Sequence, residues 1–387
     1  MPRTLFVFGT RPEAIKLCPL ILHMCSRAAD FEVQTAVTGQ HRDMLDPILE
    51  AFSVRPDYDL DLMQPGQTLA GATSRMLAGL EPVLTEARPD IVFVQGDTMS
   101  TLAGALCAFY AHIPVAHVEA GLRTGDAREP FPEEMNRVLT SRLATLHFAA
   151  TSAAEANLLA EGVTAEAIAV TGNSGIDAVN FVRDRLAAGL LEGCRLGFLD
   201  ESRKLIVVTA HRRESFGDGL ANICRAVRKL AAREDVQIVW PVHRNPHVSG
   251  PVHATLSGVP SIHLTEPLSY VPFVDLMRRA TVLVTDSGGI QEEALSLGKP
   301  AVVMRARTER PEGVEAGAAR LAGTDETRIV SEVSSLLDHP EAMAAAAGMQ
   351  NPYGDGQASG RIADAALRWF RKTKAMKSKD AHETVNV

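Results

Sequence analysis

Residues 4–22 read TLFVFGTRPEAIKLCPLIL. An apolar run of strand length reaches Gly9, and the chain then turns at once into a helical pattern. Pro12 falls in the first turn, where its missing N–H costs nothing, and Ile15, Leu17, Leu20 and Leu22 supply apolar helical positions. A strand passing through a glycine into a helix is the first half of a βαβ unit. The rhythm repeats: strands are expected at 31–38, 91–96 (IVFVQG), 114–119 and 146–150, and helices at 43–53, 67–88, 98–111, 132–144 and 152–161. Strands separated by helices of this length require right-handed crossovers and hence a parallel sheet.

The pattern restarts after TGNSGIDA (171–178) with LIVVTAH (205–211), VQIVWPV (236–242), SIHLTEP (261–267), TVLVTDS (281–287) and AVVM (301–304). The expectation is α/β: two doubly wound, Rossmann-like domains with a boundary near 172–176, so 1–174 and 175–356. NPYGDGQASG (351–360) is rich in turn formers, ADAALRWFRK (363–372) reads as an amphipathic helix, and the polar residues 374–387 are expected to be a disordered tail.

A chain of 387 residues favours two domains. With 46% hydrophobic and 22% charged residues it has the composition of a globular protein. A formal charge of −8 argues against a nucleic-acid partner, although it leaves room for a local arginine cluster around a small polyanion. The five cysteines form no CxxC pair, and four of them lie in apolar helical patterns, which reads as buried thiols in a reducing compartment. The N-terminal apolar stretch is broken by Arg11 and Glu13, too short for a signal peptide, and no run is long enough to span a membrane. The expected location is cytoplasmic.

Parallel sheets present ligands beyond the carboxyl ends of their strands. Those ends carry Arg11, Asp97, Glu119, His211 and the run Asp286-Ser287-Gly288-Gly289. One such residue could simply cap the next helix; five, mixing acids with Arg and His, point to a site. FGTRPEAIK and TDSGGIQEEA both run from a strand end into a helix N-terminus, where free N–H groups favour anions. Arg11 and Lys16 could add charge at the first, unless they are surface residues pairing with Glu13. At the second, Ser287, Gly288 and Gly289 could approach a diphosphate and Glu293 could meet ribose hydroxyls, unless the acids only face solvent. Val115–Arg137 (VAHVEAGLRTGDAREPFPEEMNR) packs Glu119, Glu133 and Arg137 closely after a strand. Asp97, Glu119 and Glu133 are the carboxylates available for acid–base work. At least one of Arg305, Arg307 and Arg310 could meet the diphosphate. His243 and His247 lack the glutamate of a metal-binding HExxH, so no metal site is expected.

Taken together, FGTRPEAIK, TGQHRDMLD, MQPGQTL, QGDT, HVEAGLRTGD, PFPEEMNR, HRRESFG, PVHRNP, TDSGGIQEEA, TERPE and NPYGDGQAS, running in order from residue 8 to 359, resemble the non-hydrolysing UDP-N-acetylglucosamine 2-epimerase family. The resemblance implies a fold like that of GT-B glycosyltransferases, an active site in the interdomain cleft, and a C-terminal helix (357–373) crossing back to the first domain. It implies reversible conversion of UDP-GlcNAc to UDP-ManNAc for surface polysaccharide precursors, with no cofactor and no metal. Elimination of UDP would give 2-acetamidoglucal, followed by re-addition. By position, Asp97, Glu119 and Glu133 match the family's catalytic acids, and Arg11, Lys16, Arg137, His211 and Arg310 its cations around the diphosphate. Ser287, Gly288, Gly289 and Glu293 match its nucleotide site, and Phe273, in a YVPF loop, its uracil side. Gln40, Gln67, Arg212 and His243 match an activating UDP-GlcNAc site, and the family suggests a homodimer. Gln95 stands where histidine is common, Leu268 where glutamine is frequent, and ART (306–308) replaces a frequent DTT; Ala210 and Leu295 take a glycine and a proline position. A 2-epimerase of a related UDP-acetamido sugar, a GT-B glycosyltransferase, a hydrolysing epimerase and a nucleotide-sugar sensor are the competing readings.

Overall fold

Strand β1 (Arg3–Phe8) gives way to helix α1 (Arg11–Ser26) within two residues because Thr10 caps the helix. Its hydroxyl accepts the Glu13 N–H, while the Glu13 side chain returns to the Thr10 N–H at 2.7 Å. The structure, a computed structural model, describes residues 1–384 apart from 40, 41, 65, 309–310, 340, 342–347 and 349–350; at 213, 311 and 376–384 it describes the backbone alone. Its contacts group Met1–Ala178 with Gly356–Val387 as one unit and Val179–Asp355 as the other.

In the first unit the chain continues through β2 (Glu32–Val37), α2 (Arg42–Ala51), β3 (Tyr58–Asp59), α3 (Leu69–Ala87), β4 (Ile91–Gln95), α4 (Met99–Tyr110) and β5 (Val115–Ala120). Then follow α5 (Glu133–Leu143), β6 (Leu146–Ala149), α6 (Ser152–Ala160), β7 (Ile168–Val170) and the start of α7 (Ser174–Ala187). All pairings are parallel, in the order β3-β2-β1-β4-β5-β6-β7. Strands buried on both faces need apolar side chains throughout, and β1 and β4 supply them. Phe6, Phe93 and Phe148 stack across the sheet with centroids 4.7 and 6.3 Å apart. The order reverses between β1 and β4, so the switch point lies where Gly9–Arg11 and Gly96–Thr98 leave the sheet.

The second unit repeats the plan: β8 (Lys204–Thr209), α8 (Asp218–Leu230), β9 (Val236–Pro241), α9 (Pro246–Leu256), β10 (Ile262–Thr265), α10 (Tyr270–Arg279) and β11 (Val282–Thr285). It continues with α11 (Gly288–Ser296), β12 (Ala301–Val303), α12 (Pro311–Glu315), β13 (Ala319–Leu321) and α13 (Glu326–Asp338). Its parallel sheet runs β10-β9-β8-β11-β12-β13, with the switch point between β8 and β11. Fully buried Ile206, Trp240, Val284 and Val302 lie in its core.

Helix α14 (Ala358–Thr384) belongs to the first unit. Its first turn is fixed by Asp177, whose carboxylate accepts the Ala358 and Ser359 N–H groups at 3.2 and 2.8 Å, and Arg27, just past the end of α1, bonds Asp364 at 2.6 Å. The helix passes through the expected disordered tail at 374–387 as far as Thr384. Lys, Ala, Met and Glu are good helix formers, and neither proline nor glycine interrupts them. The expected YVPF loop is instead the first turn of α10. The division between the units falls inside α7, four residues after position 174. The short edge strands β3, β7 and β13 have no apolar run long enough to announce them.

His117 and His147 are register partners on β5 and β6, both buried. Burial pushes the His117 imidazole down to about 3 and that of His147 to about 4. Both are therefore neutral in the fold, while the unfolded chain takes up protons near the ordinary histidine value of 6.5. Their stabilisation is present above that value and lost as pH falls towards the folded values. Each should cost about 1.4 kcal/mol of stability per pH unit in that window. Urea unfolding between pH 6 and pH 4.5 should show the loss, and His117→Gln should flatten it; an unchanged pH slope in the variant would contradict the assignment.

Candidate active site

Beside the switch point of the first unit the ends of β4 and β5 are locked together. The Gly96 N–H donates to Val118 O at 2.9 Å, and His117 Nε2 meets Gly96 O at 2.7 Å. Gly96 takes a φ of +71° that other residues rarely adopt. Glu119 does so without being glycine, at +61°, where the β5–β6 register shifts between Val118 and Ala120. This bulge directs the Glu119 carboxylate towards Lys16, whose ammonium lies 2.5 and 2.6 Å from its two oxygens, and towards Gln95 Nε2, 2.5 Å from Oε2.

Asp97 follows β4 and is held by Arg137 of α5, Nη2 to Oδ2 2.5 Å, while Asn136 Nδ2 donates to Asp97 O at 2.9 Å. Burial raises the Asp97 carboxyl above the ordinary aspartate range; Arg137 and Lys16 pull it down and Glu119 pushes it up, and burial prevails. Glu133 opens α5 half-buried and, among the described residues, pairs with no cation. Its neighbour Glu134 is buried, accepting the Thr124 and Gly125 N–H groups at 3.1 and 3.0 Å, with Arg137 Nη1 3.4 Å away. Arg11 is exposed at the start of α1.

Lys16, expected among the diphosphate cations, is thus engaged by Glu119. Glu13, weighed as a surface partner for Arg11 and Lys16, is fully buried. It accepts the Gly9 and Thr10 N–H groups and, at 2.6 Å, the hydroxyl of Thr98, with the Thr101 hydroxyl oxygen 3.1 Å away. It ties the β1–α1 turn to the β4–α4 turn, and burial raises its carboxyl despite those donors. The Thr-x-x-Glu pattern of a capping box was the signal for it; nothing in the sequence singles out Glu134.

In the second unit the buried Asp286 organises the switch point. Its carboxylate accepts the His211 and Arg212 N–H groups at 2.9 and 2.8 Å and lies 3.0 Å from His211 Nδ1. Burial would raise this carboxyl, but His211 and the two backbone donors outweigh it and hold it below the ordinary range. The arrangement fixes the His211 ring with its other nitrogen available, partly exposed. Beyond Asp286, Ser287 precedes the first turn of α11, Gly288 is buried, and a Cβ at Gly289 would meet open space. The first N–H groups of α11 are therefore accessible to an anion. Glu293 stands half-buried on the same helix. Phe273 is half-buried in the first turn of α10.

Among the residues expected at an activating site, His243 lies with its ring 5.9 Å from that of His211, and Arg212 adjoins His211 in sequence. Gln67 accepts from Gln64 N in its own loop and from Arg75 of α3. Gln40 and Arg310 lie outside the described residues. Arg305 pairs with Glu214 at 2.6 Å, and Arg307 is exposed. Among the described residues no group of three or more His, Cys, Asp or Glu is arranged to hold a metal ion.

A family model described as UDP-N-acetylglucosamine 2-epimerase matches residues 23–367. The chain belongs to the UDP-N-acetylglucosamine 2-epimerase family. It is 53% identical over 376 residues to the UDP-N-acetylglucosamine 2-epimerase of Salmonella typhimurium, covering 95% of this chain and 99% of that one. The crystal structure of the Neisseria meningitidis UDP-GlcNAc 2-epimerase bound to UDP-GlcNAc superimposes with a TM-score of 0.86 at 43% identity, covering 95% of this chain and all of that one. The Methanocaldococcus jannaschii UDP-GlcNAc 2-epimerase, in complex with UDP-GlcNAc and UDP, gives 0.77 at 34% identity with the same coverages. The fold is thus α/β and GT-B-like, as the epimerase resemblance implied.

Because the fully buried Glu13 accepts from the Gly9 and Thr10 N–H groups and the Thr98 hydroxyl, Glu13→Ala should destabilise the first unit by about 3 kcal/mol or more. Urea unfolding of the purified variant measures this; a loss below about 1 kcal/mol would show that the donors find other partners.

Proposed function

We propose that this chain interconverts UDP-GlcNAc and UDP-ManNAc by eliminating and re-adding UDP. The observation that carries the reading is the wall of the first unit, where Asp97 and Glu119 each meet a cation, Arg137 and Lys16. The C2 hydrogen is not adjacent to a carbonyl and is not acidic by itself. As the C1–O bond to UDP breaks, its electron pair leaves with the diphosphate, and positive charge grows at C1. A carboxylate then takes the C2 proton and the C1=C2 bond of 2-acetamidoglucal forms. Protonation of C2 from the opposite face, with UDP returning to C1, gives the epimer. Two proton-carrying groups are therefore required, and Asp97, Glu119 and Glu133 supply them. A raised Asp97 suits a group that must both give and take a proton.

The departing diphosphate needs donors fixed in advance. The His211 ring, held by Asp286, and the first N–H groups of α11 beyond Ser287 provide them on the second unit. Arg11, Arg137 and Arg310 add charge, Glu293 takes the ribose, and Phe273 the uracil. Lys16 acts through Glu119. Arg212 and His243, beside His211, support a second UDP-GlcNAc site with Gln40 and Gln67. UDP-ManNAc alone should then turn over with a lag that trace UDP-GlcNAc abolishes, whereas full activity from time zero would exclude activation. A homodimer is supported by an apolar groove of about 1090 Å³ along α3 and α4, lined by residues such as Leu77, Leu84 and Ile113 with the exposed Tyr110. A cytoplasmic location is supported by free, buried Cys18, Cys107, Cys194 and Cys224, and no described helix is long and apolar enough to cross a membrane.

Incubation with UDP-GlcNAc in D2O, followed by NMR, should yield UDP-ManNAc with deuterium at C2. Unchanged, undeuterated substrate would overturn the proposal, sugar transfer with protium retained at C2 would indicate a glycosyltransferase, and free ManNAc with UDP a hydrolysing enzyme. Glu119→Gln and Glu133→Gln should each reduce C2 exchange by about 100-fold or more while UDP affinity stays within about threefold. A comparable loss of UDP binding would assign the two residues to binding instead.

A further inference from the structure

We propose that Gln95 is a positioning residue whose buried amide aims the Glu119 carboxylate at the proton it transfers. The proposal rests on the epimerase reading above and extends it to a group that does not touch the sugar. Gln95 is the last residue of β4, only 3% exposed, and pairs in register with Val118 immediately before Glu119. Its backbone carbonyl is fixed by the Thr101 hydroxyl at 2.5 Å, so its Cα has little freedom. Its Nε2 lies 2.5 Å from Glu119 Oε2. A carboxylate can only accept, so the amide must present its nitrogen rather than its oxygen.

Glu119 needs this support. Its backbone sits at φ +61° on a bulge, where no strand neighbour in β6 is in register with it. The side chain is therefore not held by the regular pleat. Lys16 meets both carboxylate oxygens, at 2.5 and 2.6 Å, but arrives on a long flexible stem that can follow the carboxylate wherever it swings. Gln95, on a short stem in the buried end of a central strand, cannot follow. Lys16 therefore supplies charge and Gln95 supplies direction. Proton transfer depends steeply on such alignment, and a displacement near 1 Å costs about 100-fold in rate.

Three variants separate direction from packing. Gln95→Met keeps the length and loses the donor; Gln95→Asn keeps the amide but withdraws it by one methylene; Gln95→His keeps a donor of similar reach. C2 deuterium exchange and steady-state kinetics on UDP-GlcNAc should show kcat about 10- to 100-fold lower for Gln95→Met and Gln95→Asn, KM within about threefold, and substantial recovery in Gln95→His. Wild-type kcat in Gln95→Met or Gln95→Asn would overturn the proposal, as would a loss confined to KM. If Gln95→Met fails to fold, Gln95→Asn decides alone. Absence of C2 exchange in the wild-type protein would instead bring down the epimerase reading itself.

Discussion

The geometry of the first unit depends on one costly residue conformation. Glu119 is not a glycine, yet it occupies left-handed backbone at the end of a central strand. That conformation costs about 1–2 kcal/mol for a residue with a side chain. It persists because the ends of β4 and β5 are locked from both sides, by Gly96 N–H to Val118 O and by His117 to Gly96 O. The Lys16 and Gln95 contacts then draw the carboxylate into one place. Without the bulge, strand alternation would turn Glu119 into the sheet face, where a carboxylate has no partner.

The unit sorts its acids by the donors they receive. Glu13 is buried among backbone N–H and hydroxyl donors, and Glu134 accepts two backbone N–H groups with Arg137 3.4 Å away; both hold turns in place. Asp97 and Glu119 are met by side-chain cations and remain partly open to solvent. In the second unit Asp286 is spent entirely on orienting His211 and the turn that follows it.

The long buried strands were legible because both faces of a parallel sheet demand unbroken apolar runs, as in TLFVF and IVFVQ. Edge strands such as Tyr58–Asp59 were not, since two residues of mixed polarity carry no pattern. Asp97, Glu119, His211 and Ser287 stand out in the sequence because polar groups at successive strand ends are unusual, and the structure sets each at or just beyond the end of its strand. What the sequence could not display was pairing across distance: Lys16 with Glu119, 103 positions away, or Asp286 with His211, 75 away. Gln95 was visible only as a departure from the epimerase pattern, and its contact explains why a donor belongs there.

Burial, resisted but not overcome by Arg137 and Lys16, keeps Asp97 more basic than an ordinary aspartate. The direct measurement is a pH titration of the Asp97 side-chain carboxyl by ¹³C NMR in the labelled, ligand-free protein, assigned with Asp97→Asn. The expected midpoint lies above the ordinary aspartate value of 3.8 and rises further in Arg137→Ala. A midpoint at or below that value would contradict it.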